Sequence, residues 1–377
     1  MTIAAHGATA GQPAGDGFDE KAAGLRLIDT DIHNDAPLLA LRPYLARQWH
    51  VWLDDGGPSF ATRGVAHVGS GRMDDAVNER DGLCAGDPGW VVEQLMKKYR
   101  IDLGILGSMP SLAAQRDIRF MNALASAVND HLLDVWVRPC PCFKGSIVVN
   151  AQDAEAAARE IDRVGDDPGM VQVILSSLTG VSFGHRHNWP IYRAAVEHGL
   201  PIGVHPTMDV GNTGPQTGVG WYTSFLEHHT DHSQAMMSQC ISLIVEGVFE
   251  EFPALKFVLI EGGFGWVPYA MGRLDRLYPA LRREVPYLKR LPSEYLREHF
   301  YFSTQPIEEP LDPEHLHQML AIVDAEHRML FASDYPHWDF DNPLTVLHAL
   351  SPELRRRVCV DNVLECYGPR LLRPSTP

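Results

Sequence analysis

From Leu25 onward, short apolar runs of strand length recur along the chain, separated by longer stretches in which apolar residues return every three to four positions. The first run, LRLIDTDIH, ends at His33. IDLGILGS follows at 101–108, then 136–143, MVQVILSS at 170–177, LPIGVHPT at 200–207, KFVLIEGG at 256–263, FYFSTQP at 300–306 and RMLFASDYPH at 328–337. Between them the helical period predicts helices at 90–99, about 116–133, 153–164, from Trp189-Pro190 onward, 231–251, 265–282 and 313–323. Eight strands alternating with helices require parallel pairing. The expected fold is therefore an α/β (β/α)8 barrel of the TIM type, distorted by loop insertions after strands 1 and 5. Residues 1–24 have no periodicity and read as a disordered tail, and 25–377 read as a single barrel domain. Within it, 54–89 is Gly- and Asp-rich with little apolar periodicity, the pattern of a lid-like insertion.

Barrels of this kind place their chemistry at the C-terminal ends of the strands. Asp31 and His33 stand two apart at the end of the first strand, so they share a face. His205 ends the fifth strand, Glu261 the sixth and Asp334 the eighth. Carboxylates and imidazoles converging there are what a borderline divalent cation accepts as ligands. His337, three residues beyond Asp334, is placed to line the same pocket, with Trp338 beside it.

Composition removes other classes. With 45% apolar residues the chain has ample core-forming material, and a net charge of −16 argues against nucleic-acid backbones and anionic membrane surfaces as partners. No apolar run reaches membrane-spanning length and the start lacks a basic region followed by a hydrophobic one, so a cytoplasmic location is expected. The six cysteines contain no C-x-x-C pair and read as reduced, buried or incidental thiols.

LIDTDIH at the first strand, GLPIGVHP at the fifth, KFVLIEGGFGWVPYAMGRLD at the sixth with its helix, MLFASDYPHWD at the eighth and the closing CVDNVLECYG together resemble the amidohydrolase superfamily. Within it they resemble the group around aminocarboxymuconate semialdehyde decarboxylase and the resorcylate-type decarboxylases, over roughly residues 25–370. The resemblance implies that Asp31, His33, His205 and Asp334 hold one divalent ion, Zn2+ before Mn2+ or Fe2+. Binuclear relatives end the fourth strand with a lysine, and MVQVILSS has none, which favours a single ion. Two departures stand out: Glu261 occupies the place of the decarboxylases' histidine, and Asp31 opens a triplet that usually begins with His or Glu. Related barrels often pair, so a homodimer is one assembly the resemblance allows.

Among further candidates, Arg186 in Gly184-His185-Arg186-His187 is a paired hydrogen-bond donor for an anionic substrate, with a solvated loop as the plain alternative. Trp221, in the glycine-rich insert after the fifth strand, is the expected substrate wall. His228, His229 and His232 read as clustered surface histidines rather than a second metal site, and Arg273 with Asp275 as a structural pair. Two chemistries on a small-molecule substrate follow, with Asp334 and Glu261 as the catalytic carboxylates. The first is hydrolysis of an amide, lactone or related bond by metal-activated water, favoured because a carboxylate base suits it and the histidine is missing. The second is metal-dependent, non-oxidative decarboxylation of an aromatic or enoic acid.

Overall fold

The computed structural model describes residues 24–34, 36–55, 71–78, 82–108, 117–207, 222–308 and 310–376. Eight parallel strands lie in chain order: β1 (Ile28–Ile32), β2 (Leu103–Leu106), β3 (Phe143–Val148), β4 (Met170–Ser176), β5 (Ile202–His205), β6 (Phe257–Leu259), β7 (Phe300–Ser303) and β8 (Met329–Leu330). The sheet then closes on itself. Thr30 N donates to Phe331 O at 3.0 Å and His33 N donates to Tyr335 O at 2.8 Å, so the segment running out of β8 lies against β1. The fold is a (β/α)8 barrel. Its strands are buried along nearly their whole length, which is why MVQVILS is an almost unbroken apolar run rather than an alternation.

Helices α1 (Ile118–His131), α2 (Ala154–Val164) and α3 (Trp189–Glu197) follow β2, β3 and β4. After β5 come α4 (Phe225–Thr230) and α5 (His232–Val245), after β6 α6 (Val267–Leu281) and α7 (Pro292–His299), and after β7 α8 (Pro313–Ile322). Asp117, Asp153, Ser224 and Asp312 cap four of them by accepting first-turn backbone N–H groups. The helix expected at 231–251 is broken after Val245, because Gly247 takes a left-handed φ of 73°. A Cβ there would meet the Tyr287 ring at 2.6 Å, so only glycine fits the break.

The third strand begins later than the pattern suggested. Trp136 and Val137, which supplied the apolar signal at 136–143, belong to a wider helical stretch, Leu132–Val137, that continues α1 and is buried against the barrel. A short apolar run cannot by itself distinguish a strand from a buried helix end. The true β3, FKGSIV, is joined to α1 by Asn129, whose Nδ2 donates to Val148 O (2.9 Å) and Glu160 Oε1 (2.7 Å) while its Oδ1 accepts from Val148 N (2.8 Å). Asp275 also differs from expectation. It accepts from Ser293 N at 3.0 Å instead of pairing with Arg273, because residues two apart on a helix do not face each other.

The C-terminal helix anchors the barrel's last strand. Asn362 Nδ2 donates to Ala325 O and Met329 O, and Tyr367 Oη reaches Gln172 inside the barrel at 2.9 Å. All six cysteines are free thiols.

Candidate metal centre and active site

Each of the four expected ligands stands at a C-terminal strand end. Asp31 lies in β1 and His33 directly after it, His205 closes β5, and Asp334 follows β8; Asp31 and Asp334 are 1% and 0% exposed. One donor atom from each lies within 4.8 Å of the others. His33 Nε2 is 3.7 Å from Asp31 Oδ1 and 2.9 Å from Asp334 Oδ1, and His205 Nε2 is 3.6 Å from Asp31 Oδ2. Ligands on one cation at bonds of about 2.0–2.2 Å stand roughly 3.1–3.6 Å apart, so these separations fit a common ion.

Hydrogen bonding points the same way. Both Asp31 oxygens, His33 Nε2, His205 Nε2 and Asp334 Oδ2 are buried without a hydrogen-bond partner. Uncompensated buried charges are costly, and five such atoms in one place call for a cation. His205 shows the cause directly. Its Nδ1–H donates to Pro206 O at 2.5 Å, which fixes the tautomer and turns the Nε2 lone pair toward Asp31 and Glu261. Facing carboxylate oxygens, that nitrogen needs positive charge in between. In the metal-free chain a proton supplies it: burial opposes charge on His205, but Asp31 and Glu261 outweigh burial and raise its pKa. When metal binds, the cation takes that place. The residues present therefore fit a bound divalent metal.

Judged from the protein groups alone, the site is strongly polarised. Burial raises the Asp334 pKa to about 6. It pushes His337 down, but the Asp334 carboxylate outweighs it and lifts His337 to about 9. Burial also opposes charge on Glu261, yet His205 and His232 hold that carboxyl well below its usual range.

Glu261 and Asp334 share a backbone peculiarity, with φ of 55° and 58°. Left-handed backbone is uncommon for residues with a Cβ and concentrates where the fold dictates an exact side-chain direction. Here it turns both carboxylates inward at the strand ends. The turn leading into α6 is held by another residue, Glu308, whose Oε1 accepts from Phe264 N (3.0 Å) and Gly265 N (2.9 Å). Glu261 is left to face imidazoles: His205 at 3.0 Å, His232 at 3.4 Å and His229 at 3.7 Å.

This overturns the surface-histidine expectation. His228 and His232 are buried and His229 is half-buried. The reason is the short α4, whose turn into α5 carries the three side chains over the barrel mouth. His337 is also in place, donating from Nδ1 to Asp334 Oδ1 at 2.7 Å with its ring 4.4 Å from that of His33. Arg186 is not gathered in. It is exposed, its guanidinium sits 4.8 Å over the Trp189 ring, and none of its described contacts is with the ligand cluster. Trp221 lies outside the described residues.

One member was missed. Asp339 Oδ2 stands 3.0 Å from His229 Nε2 and accepts from Gln305 Nε2 at 3.0 Å. Its signal was the final Asp of MLFASDYPHWD. The expected 54–89 insertion meets this region through its described residues: Met73 N donates to Pro336 O at 2.9 Å, and the backbone of Arg72 pairs with that of His337 in an isolated antiparallel bridge.

Comparison with known proteins agrees with this architecture. The family described as "Amidohydrolase" matches residues 85–368. The gamma-resorcylate decarboxylase of Polaromonas sp. is 26% identical over 259 residues, covering 66% of this chain and 77% of that protein. The enzyme of the same name from Rhizobium sp. is 26% identical over 272 residues, 68% of this chain and 80% of its own. Among solved structures, the 5-carboxyvanillate decarboxylase of Novosphingobium aromaticivorans, complexed with manganese and 4-hydroxy-3-methoxy-5-nitrobenzoic acid, superposes with a TM-score of 0.67 at 22% identity, covering 91% of this chain and 96% of that one. An amidohydrolase from Mycobacterium avium subsp. paratuberculosis gives 0.67 at 21%, over 92% and 98%.

Proposed function

Because the chain belongs to the amidohydrolase family, and is an enzyme of that superfamily, we propose that it is a divalent-metal-dependent decarboxylase of a hydroxylated aromatic acid. The observation that carries the reading is the Asp31, His33, His205, Asp334 set with its unpartnered buried donor atoms, ringed by imidazoles suited to an anion. The relatives move the balance away from hydrolysis, since the curated ones are named gamma-resorcylate decarboxylases. The expectation of hydrolysis rests on a carboxylate base suiting it and on the histidine missing at the end of β6. In the structure His229 and His232 bring imidazoles to that point from the α4–α5 turn.

A cation bound by the four ligands would supply positive charge to fix the substrate's oxygens and steady charge building in its ring. Two imidazoles and two carboxylates suit Mn2+ as well as Zn2+. The protein's own groups do the rest. His33 and His337 line one side of the pocket, and His229 with Trp338, whose rings are 5.8 Å apart, the other. Asp334 has one oxygen held by His337 and the other unpartnered. With Oδ2 turned to the cation site, Asp334 Oδ1 passes on the proton it shares with His337, delivering it to the ring carbon bearing the carboxylate. The bond from that carbon to the carboxylate then breaks, its electron pair returns to the ring, and CO2 departs. Asp334 recovers its proton from solvent, while Glu261 holds His205 in position.

The reaction class is tested by incubating metal-loaded protein with hydroxylated benzoates and with amides and lactones, in 18O water and in D2O. CO2 release with deuterium at the vacated ring carbon and no 18O in the product is expected. Solvent 18O in the product would restore hydrolysis.

A further inference from the structure

Beyond the four-ligand centre, we propose that the chain holds a second divalent cation, bound by His229 Nε2, His232 Nδ1 and Glu261 Oε1, with the Asp339 carboxylate beside His229. These groups come from separate parts of the fold: the α4–α5 turn, the end of β6 and the segment after β8. Even so, the two imidazole nitrogens and a Glu261 oxygen lie within 4.8 Å of one another.

The distances fit a shared ion. Glu261 Oε1 is 3.4 Å from His232 Nδ1 and 3.7 Å from His229 Nε2, and His229 Nε2 is 3.0 Å from Asp339 Oδ2. Donors on a tetrahedral ion with bonds of about 2.0–2.1 Å stand roughly 3.4 Å apart. Although His229 Nε2 is this close to two carboxylates, it is buried and has no aligned hydrogen bond, the same condition as His33 Nε2 and His205 Nε2 in the first centre. His232 is oriented from behind, its Nε2 lying 3.3 Å from His228 Nδ1. A ligating imidazole is commonly steadied through its second nitrogen in this way.

Glu261 joins the two centres. Its Oε2 faces His205, a ligand of the first, and its Oε1 faces His229 and His232. That is how a carboxylate bridges neighbouring cations. Charge points the same way: Asp31, Asp334, Glu261 and Asp339 place four carboxylates in one connected cluster, more negative charge than one divalent ion and the His337 imidazolium together balance. Lacking the lysine at the end of β4, this chain joins its centres through Glu261 instead.

The test is direct. Full-length protein stripped with chelator, reloaded with excess Mn2+ and freed of unbound metal should carry about two Mn per chain by elemental analysis. Its electron paramagnetic resonance spectrum should show exchange coupling between neighbouring ions. The His229→Ala/His232→Ala protein should carry one Mn with an uncoupled six-line spectrum, and Asp31→Asn should instead lose the ion of the first centre, so the two assignments fail separately. One uncoupled Mn in the wild-type protein would overturn the proposal, leaving the imidazoles as a hydrogen-bonded cluster. Two coupled Mn in the double variant would overturn it as well. If the double variant does not fold, the wild-type stoichiometry and coupling decide alone.

Discussion

Replacing Asp31 with Asn should change stability in opposite directions with and without metal. Asp31 is fully buried, both its oxygens lack hydrogen-bond partners, and it faces His33 and His205 at 3.7 and 3.6 Å. As a ligand it stabilises the fold only through the cation. Changes to residues behind a metal's ligands cost about 10–100-fold in affinity, so loss of a charged ligand should cost at least about 100-fold. At fixed metal concentration that removes about 2.7 kcal/mol of linkage stabilisation. Unfolding entropy of about 2.1 cal/mol/K per residue gives roughly 0.8 kcal/mol/K for 377 residues, so Tm should fall by about 3 °C or more in excess Mn2+. In EDTA the sign reverses. An unpaired buried carboxylate costs about 1–3 kcal/mol, and the amide removes that charge, so the variant should melt about 1–4 °C above wild type. Differential scanning calorimetry of both proteins under both conditions reads the crossing directly. An equal drop in Tm with and without metal would refute the argument and make Asp31 a structural residue.

His205→Ala should remove most of the metal from the first centre, measured by elemental analysis after dialysis; full occupancy there would sink the ligand assignment. Asn129→Ala should cost about 2 kcal/mol or more and lower Tm by roughly 2–3 °C, since it leaves Val148 N and Val148 O without their side-chain partner while Glu160 keeps Ser126 and Arg163, and urea unfolding checks it. Lys144 is lowered from 10.5 to about 8, chiefly by burial, so folding disfavours its charged form. Because the unfolded chain then binds the extra proton, stability should climb as pH rises from 8 to 10.5, and Lys144→Met should flatten that climb in denaturant titrations.

The barrel was legible because each strand is buried on both sides and writes a compact apolar run, and because four ligands sit at fixed offsets from those runs. Where burial extends beyond strands the signal misleads, as Trp136 and Val137 show: they are as apolar as any strand but end a helix. The α4–α5 histidines were hidden for a different reason. Their i, i+3 and i, i+4 spacing marks one helical face, but nothing local says whether that face looks at water or across the barrel mouth at Glu261. Asp339 was invisible as a participant because its partner, His229, is more than a hundred residues earlier in the chain.

The left-handed backbone at Glu261 and Asp334 sets the terms on which this site can drift. At each position glycine would relieve about 1 kcal/mol of strain and abolish the carboxylate. Selection for thermal robustness of the metal-free chain alone would therefore erode the site, and a library screened for heat resistance in chelator should enrich glycine at 261 and glycine or asparagine at 334. Persistence of both acids in a lineage would then be a record of selection on chemistry, readable without an assay.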